Sequence, residues 1–327
     1  MEITNELLVK VLSEYGLVRP EITFLKHNEN KTYKVTDLAD GCTYLFRIHQ
    51  PFTENFSGLQ HTKEGLISEI QLLIDIANDT DLVVQTPIKN SLGKFIVEFD
   101  YEKTTIMTSL AKWIDGRNLN KEDFSNPKIV KELGTQTAKL HRYLRAYNRA
   151  LQQVRPNYGA KRIDTMIQQI YRGIEKGLFS RSNFHIVEQT LNLISSRLVN
   201  LQGLDAWGII HGDLNMSNVL ITELGGVAFI DYGLFGYGYY LFDVAMGALN
   251  STATTRNLFF EGYFGKGEVP EDVLMIVEGF MLMSVLGYYA FQMENEKVHP
   301  WIRERMPLLC TKHCLPFLNG DRILYNF

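Results

Sequence analysis

The stretch IIHGDLNMSNVLITELGGVAFIDYG, residues 209–233, sets Asp213, Asn218 and Asp231 against runs that otherwise read as buried strands. An unpartnered carboxylate is costly to bury, so a plain core has no use for them there. Residues 219–221 and 227–230 read as two short strands, with Gly225-Gly226 in the turn between them. If that turn centres on Leu224 and Gly225, Asn218 falls opposite Asp231 at the open end, where cross-strand neighbours lie about 5 Å apart. An amide oxygen and a carboxylate are hard donors, suited to Mg²⁺ that completes its shell with substrate phosphates. No Cys/His cluster accompanies them, which argues against a protein-held zinc. Asp213, on the loop entering the hairpin, is placed to accept or orient the proton of an attacking hydroxyl. Gly212 allows a tight turn before it, and His211 is expected to support the loop backbone or Asp231 rather than act as acid or base. Each residue alone is a common turn or cap residue; grouped around one hairpin they describe a site.

The rest of the chain bounds what that site serves. At 327 residues it is long for a single core, and two lobes are expected. With 33 basic and 37 acidic residues and no long basic run, nucleic-acid binding is not expected. Cys42, Cys310 and Cys314 make no disulfide framework, which fits a reducing, cytoplasmic setting. The spacing of Cys310, His313 and Cys314 lacks a fourth zinc ligand, so a helix carrying two apolar cysteines is the expectation there. The opening MEITNELLVKVLSEYG has no uninterrupted apolar run of the kind that directs secretion. Residues 273–293 approach the length of a membrane span with Glu278 as the only charge. No basic flank supports a membrane partner, and a buried helix is expected.

Periodicity divides the chain. A leading helix is expected over 3–12, on Ile3, Leu7, Leu8, Val11 and Leu12, then strands at EITFLKH, KTYKVTDL and CTYLFRIHQ. A helix over 62–77 precedes the strands KFIVEFD and TTIMTSL, which flank a turn at Tyr101-Glu102-Lys103. After residues 113–116 the period becomes helical: Val130, Leu133, Thr137, Leu140 and Leu144 mark one helix, with His141 in a structural role. Val187, Leu191, Ile194 and Leu198 mark another, and the tail from Phe242 is largely helical, with breaks near 262–270 and at Pro300. The fold class is therefore α+β. A small antiparallel-sheet N-lobe, 1–112, precedes a larger, mostly helical C-lobe, 113–327, and the seam between lobes is a usual place for a ligand.

His211-Gly212-Asp213-Leu214-Asn215-Met216-Ser217-Asn218, followed by Ile230-Asp231-Tyr232-Gly233, resembles the catalytic loop of the aminoglycoside phosphotransferase and choline kinase superfamily. The resemblance, weaker outside this stretch, covers residues from about 20 to about 300, and it implies a two-lobed protein-kinase-like fold. It implies ATP and Mg²⁺ as cofactors, Asp213 as catalytic base, Asn218 and Asp231 as metal ligands, and Asp243 as a brace for the catalytic loop. Arg47, in LFRIHQ, stands where these kinases place a basic residue that contacts the nucleotide phosphates, although protein kinases use lysine. Glu69, on the buried stripe of the helix with Leu66, Ile70 and Leu73, is its expected partner; Glu64 is the alternative. The loop over the nucleotide carries no glycine: it reads His27-Asn28-Glu29-Asn30-Lys31-Thr32-Tyr33, and Asn30 and Thr32 are the candidates to approach the phosphates.

The implied reaction is phosphoryl transfer from ATP to a hydroxyl of a small molecule: an amino alcohol, a sugar or an amino sugar, with homoserine and methylthioribose also open. Phe235, Tyr237, Tyr239, Tyr240, Tyr288, Tyr289, Phe291 and Trp301 offer aromatic walls, and Glu278, Glu294 and Glu296 offer acids for a cationic acceptor. Two alternatives stand beside this reading. One is a kinase-shaped binding or scaffold protein with weak turnover, motivated by the glycine-free loop and Arg47. The other is an atypical Ser/Thr protein kinase, against which the absence of an A-P-E segment after Asp231 weighs.

Overall fold

A computed structural model describes residues 4–27, 30–50, 58–101, 104–149, 154–198, 201 and 206–327. Ile3, Asn28, Glu29, Glu102 and Lys103, which entered the expectations above, lie outside the described residues. The chain divides into two compact units, Met1–Gly116 and Arg117–Phe327.

In the first unit α1 (Asn5–Glu14) begins at Thr4, whose hydroxyl accepts the Leu7 N–H at 3.3 Å. β1 (Pro20–His27), β2 (Lys31–Asp37) and β3 (Thr43–Ile48) follow, then α2 (Lys63–Asp79), β4 (Pro87–Ile88), β5 (Ile96–Tyr101) and β6 (Thr104–Lys112). The antiparallel sheet runs β1-β2-β3-β6-β4, with β5 also paired to β6. The two-residue β4, opened by a proline, is too short to leave a period in the sequence. Leu8, Val11 and Leu12 of α1 join Val35, Phe46, Ile48 and Leu110 of the sheet in one core. The leading helix therefore closes a sheet face that water would otherwise reach.

The second unit opens with β7 (Gly116–Asn118) and the long α3 (Pro127–Ala146), where Asn126 caps the Lys128 and Ile129 N–H groups. Next come α4 (Ala160–Glu175), α5 (Arg181–Leu198), β8 (Trp207–Ile210), β9 (Val219–Thr222), β10 (Val227–Phe229) and β11 (Gly236–Tyr239). The unit continues through α6 (Tyr240–Ala248), α7 (Arg256–Phe264), α8 (Glu271–Gln292), α9 (His299–Leu309) and α10 (Leu315–Leu318). Two small sheets, β10-β9-β7 and β11-β8, flank residues 211–218. Cys310–Cys314 form a π-helical turn between α9 and α10, with both cysteines buried.

Among the described residues α8 alone is long and apolar enough to cross a membrane. It packs against α4, α5 and α6. Its internal charge is matched: Glu278 Oε1 accepts the Arg322 Nε–H at 3.0 Å and the backbone N–H groups of Ile323 and Leu324 at 2.9 and 2.7 Å. That arrangement is what a buried carboxylate requires, and it ties the C-terminal segment to the helical core.

Candidate active site

Residues 211–218 connect β8 to β9, and their backbone is held from α6. The Asp243 carboxylate, fully buried, accepts the His211 N–H at 2.7 Å and the Gly212 N–H at 2.9 Å. Gly212 is left-handed, φ +78°, and a Cβ there would lie 2.7 Å from both the Leu234 carbonyl and the Tyr158 hydroxyl. Only glycine fits this crossing. His211 Nε2 lies 3.2 Å from the Ile230 carbonyl and Nδ1 lies 3.3 Å from the Asp213 N–H. A carbonyl only accepts and an amide N–H only donates, so Nε2 carries the proton and the ring joins the two ends of the hairpin. Asn250 Nδ2 donates to the Leu214 carbonyl at 2.9 Å and holds the loop from a further side.

On this frame the Asp213 carboxylate is oriented by two amides: Asn215 Nδ2 donates to Oδ1 at 2.7 Å and Asn218 Nδ2 donates to Oδ2 at 2.6 Å. Burial lifts the Asp213 carboxyl above the ordinary aspartate range; the Asn215 bond offsets part of that, and the negative charge of nearby Asp231 adds to it.

The hairpin corrects the expected register by one residue. Thr222 pairs with Gly226 through a bond of 2.9 Å, Gly225 is left-handed at φ +77°, and Phe229 faces Val219. The loop thus has three residues with a left-handed glycine last. Asn218 faces Ile230, whose N–H donates to its carbonyl at 3.0 Å, and Asp231 stands one position further. In a continuing strand that slip would turn Asp231 to the opposite face. Asp231 is not in a strand: its φ of 64° makes it the sole left-handed non-glycine among the described residues, and alternation no longer governs it. With Asn218 Nδ2 committed to Asp213, Oδ1 is the atom Asn218 has for a cation. Among the described residues no group of three His, Cys, Asp or Glu could hold a metal by itself. Two hard oxygen donors, the Asn218 amide and the Asp231 carboxylate, beside the second carboxylate of Asp213 would suit a divalent cation that completes its shell with phosphates and water.

Three contributors escaped sequence reasoning. Asn215 was part of the quoted loop but carried no assigned role. Arg155, fully buried, donates through Nε to the Phe235 carbonyl at 2.8 Å and through Nη2 to the Tyr232 and Gly233 carbonyls, while its guanidinium lies 3.8 Å from the Phe235 ring centroid. It clamps the segment that follows Asp231. Tyr158 donates to the Leu234 carbonyl at 2.5 Å. Burial raises its phenol well above the ordinary tyrosine value, and the Asp213 charge adds to the rise.

In the first unit Arg47 and Glu69 form a buried ion pair, Nη1 to Oε1 at 2.8 Å. Thr32 faces Arg47 across the β2–β3 ladder. Asn30 Oδ1 lies 3.1 Å from His49 Nδ1, and His49 Nε2 lies 2.8 Å from the Ser109 hydroxyl. Glu64 sits in the first turn of α2.

Of the acceptor candidates, Phe235 lies under Arg155, and Tyr240 and Tyr289 are buried. Tyr288 and Trp301 are exposed and meet edge to face, 5.7 Å between centroids. Glu278 is committed to the C-terminal segment, and Glu294 pairs with Arg172 at 3.3 Å and Lys176 at 2.9 Å.

The sequence matches the model of the phosphotransferase enzyme family over residues 21–272. No curated protein matches it. Solved structures with a similar fold include a microcompartment-associated aminopropanol kinase, with a TM-score of 0.76 at 18% identity, covering 97% of this chain and 98% of that one. An amicoumacin kinase in complex with AMP-PNP, Ca²⁺ and Ami has a TM-score of 0.72 at 16% identity, covering 98% and 95%. Choline kinase from Cryptosporidium parvum Iowa II has a TM-score of 0.65 at 12% identity, covering 96% and 95%. At these identities the likeness is one of fold, the two-lobed protein-kinase-like fold.

Proposed function

The chain belongs to the phosphotransferase enzyme family, and from that premise we propose that it moves the γ-phosphoryl group of ATP to a hydroxyl of a small molecule: an amino alcohol, a sugar or an amino sugar. The observation that carries this reading is the setting of Asp213, a carboxylate aimed by two amides next to a second carboxylate on a left-handed residue. Asn215 and Asn218 each occupy one lone pair of Asp213, leaving others for the proton of the acceptor hydroxyl. A carboxyl lifted by burial is a better base near neutral pH than an ordinary aspartate.

Asp213 orients the hydroxyl and takes its proton, while Asp243 and His211 keep the loop backbone in place. Asn218 and Asp231 would hold a divalent cation, with Mg²⁺ the expected ion, and it would supply neutralisation of charge on the phosphate oxygens. Arg47, fixed by Glu69, offers its guanidinium to the nucleotide phosphates, with Asn30 just before β2 and Thr32 facing Arg47 from within that strand rather than from a loop. Alignment and matched charge supply most of the acceleration in such a transfer. Since Glu278 and Glu294 are already paired, a singly charged or neutral acceptor suits the protein better than a polycation.

The test is a transfer screen with ATP and Mg²⁺ against amino alcohols, sugars, amino sugars and homoserine, scored by phosphorylated product. One class is expected to react, and Asp213→Asn to lower turnover by about 10²–10⁴-fold. By calorimetry Asp213→Asn should still bind ATP with Mg²⁺, and Asp231→Ala should bind it more weakly. A folded wild-type protein that binds neither nucleotide nor metal would overturn the proposal.

A further inference from the structure

Asp243 has a partner besides the catalytic loop. His141 Nε2 lies 3.1 Å from Asp243 Oδ2, and His141 Nδ1 lies 2.8 Å from the Tyr263 hydroxyl. A carboxylate accepts, so Nε2 carries a proton, and in the neutral ring Nδ1 then accepts from the Tyr263 hydroxyl. Burial holds the Tyr263 phenol protonated by raising it well above its ordinary value, with the Arg145 charge as a partial offset. The result is one donor–acceptor chain from Tyr263 through His141 to Asp243, on which the His211 and Gly212 N–H groups converge.

Tyr263 also lines a cavity of about 620 Å³, walled by Ala138, Arg142, Arg145, Tyr240 and Val273. That volume is in the range of small-molecule sites. Arg145 stacks on Tyr240, 4.6 Å from the ring centroid. Neither Arg142 nor Arg145 has a carboxylate partner among the described residues. Two guanidinium groups without a carboxylate, on an aromatic and aliphatic wall, favour an organic anion and repel a cation.

We propose that this cavity is a regulatory site for a small organic anion with an apolar body, and that its occupancy reaches the catalytic loop through Tyr263, His141 and Asp243. An anionic headgroup that competes for the Tyr263 proton takes a donor from His141. It thereby shifts the ring that shares Asp243 with the loop N–H groups. Apart from Tyr240, named above only as an aromatic candidate for the acceptor, no cavity residue has a part in the phosphotransfer reading, and the measurements below need no turnover.

The probe is 8-anilinonaphthalene-1-sulfonate, followed by fluorescence, with octanoate and octylamine as competitors. We expect saturable binding that octanoate displaces and octylamine does not. Arg142→Glu, at an exposed position, and Ala138→Trp, which fills the space, should each weaken it at least tenfold in protein whose thermal midpoint shows it folded. Equal displacement by the amine, or undiminished binding in folded Arg142→Glu, would overturn the site. For the coupling, hydrogen exchange of the His211 and Gly212 amides should change with octanoate in the wild type and not in Tyr263→Phe. Unaltered exchange under saturating octanoate would overturn the coupling.

Discussion

Asp213 sits where burial and a neighbouring carboxylate both oppose its charge, and this has a consequence for stability that needs no substrate. A carboxyl whose folded pKa lies above its unfolded value binds its proton more tightly in the folded state, so stability falls as pH rises through that interval. Asp213→Asn removes the charge and keeps the size, at the cost of setting its Nδ2 against one of the two amide donors. In metal-free protein the thermal midpoint of the variant relative to the wild type should therefore be higher at pH 7 than below about pH 4, the ordinary aspartate range. A difference between the two proteins that does not change with pH would show that the Asp213 charge is not opposed by its surroundings. Asp213, Asn218 and Asp231 were legible because they lie within one local motif, and Asp243 because it matches a position in the resembling family. Arg155 was not: its three carbonyl partners are 77 to 80 residues away, and a lone arginine in QVRPNYG carries no local signal.

Between elements, the ion pair that ties β3 to α2 is the clearest case of sequence pattern becoming contact. Glu69 lies on the apolar stripe of α2, and burial of a carboxylate there demands the cation that Arg47 supplies. Glu69→Leu should destabilise the protein by about 3–5 kcal/mol in denaturant titration, because the guanidinium stays buried without its carboxylate. Arg47→Met with Glu69→Leu should recover much of that loss; a double variant no better than the single one would show that the loss does not come from the stranded guanidinium. The hairpin shows the limit of such reading. Its strands were visible in the apolar pattern, but its register depended on whether the loop held an even or odd number of residues, which the left-handed Gly225 decides. β8 and β11 are four residues each, and GYGY reads as a turn until it pairs with WGII. α4 did carry a signal, Ile163, Met166 and Ile170 at spacings of three and four, that the segmentation passed over.

At the scale of the molecule, the two-part division followed from where the period changes from two to near four, and the apolar α8 from the need to fill a large helical core. What the sequence did not reveal was how that core is closed. Glu278 gathers Arg322 and two backbone N–H groups, while the buried Arg256 donates to the Leu324 carbonyl and to the Ala248 and Ser251 carbonyls. Burial pushes the Arg256 guanidinium down to about 10. Glu278→Ala should speed hydrogen exchange across residues 321–327 and lower the thermal midpoint, with a cost of about 1–3 kcal/mol for each buried N–H left without an acceptor. Exchange unchanged in that segment would show that the tail is held by apolar packing alone. The left-handed backbone at Asp231 also constrains heredity. Asparagine is the uncharged residue that best tolerates this conformation, and an aspartate codon becomes an asparagine codon through a single base transition. A lineage can therefore strip the charge from this proposed cation ligand in one step without disturbing the backbone that presents it.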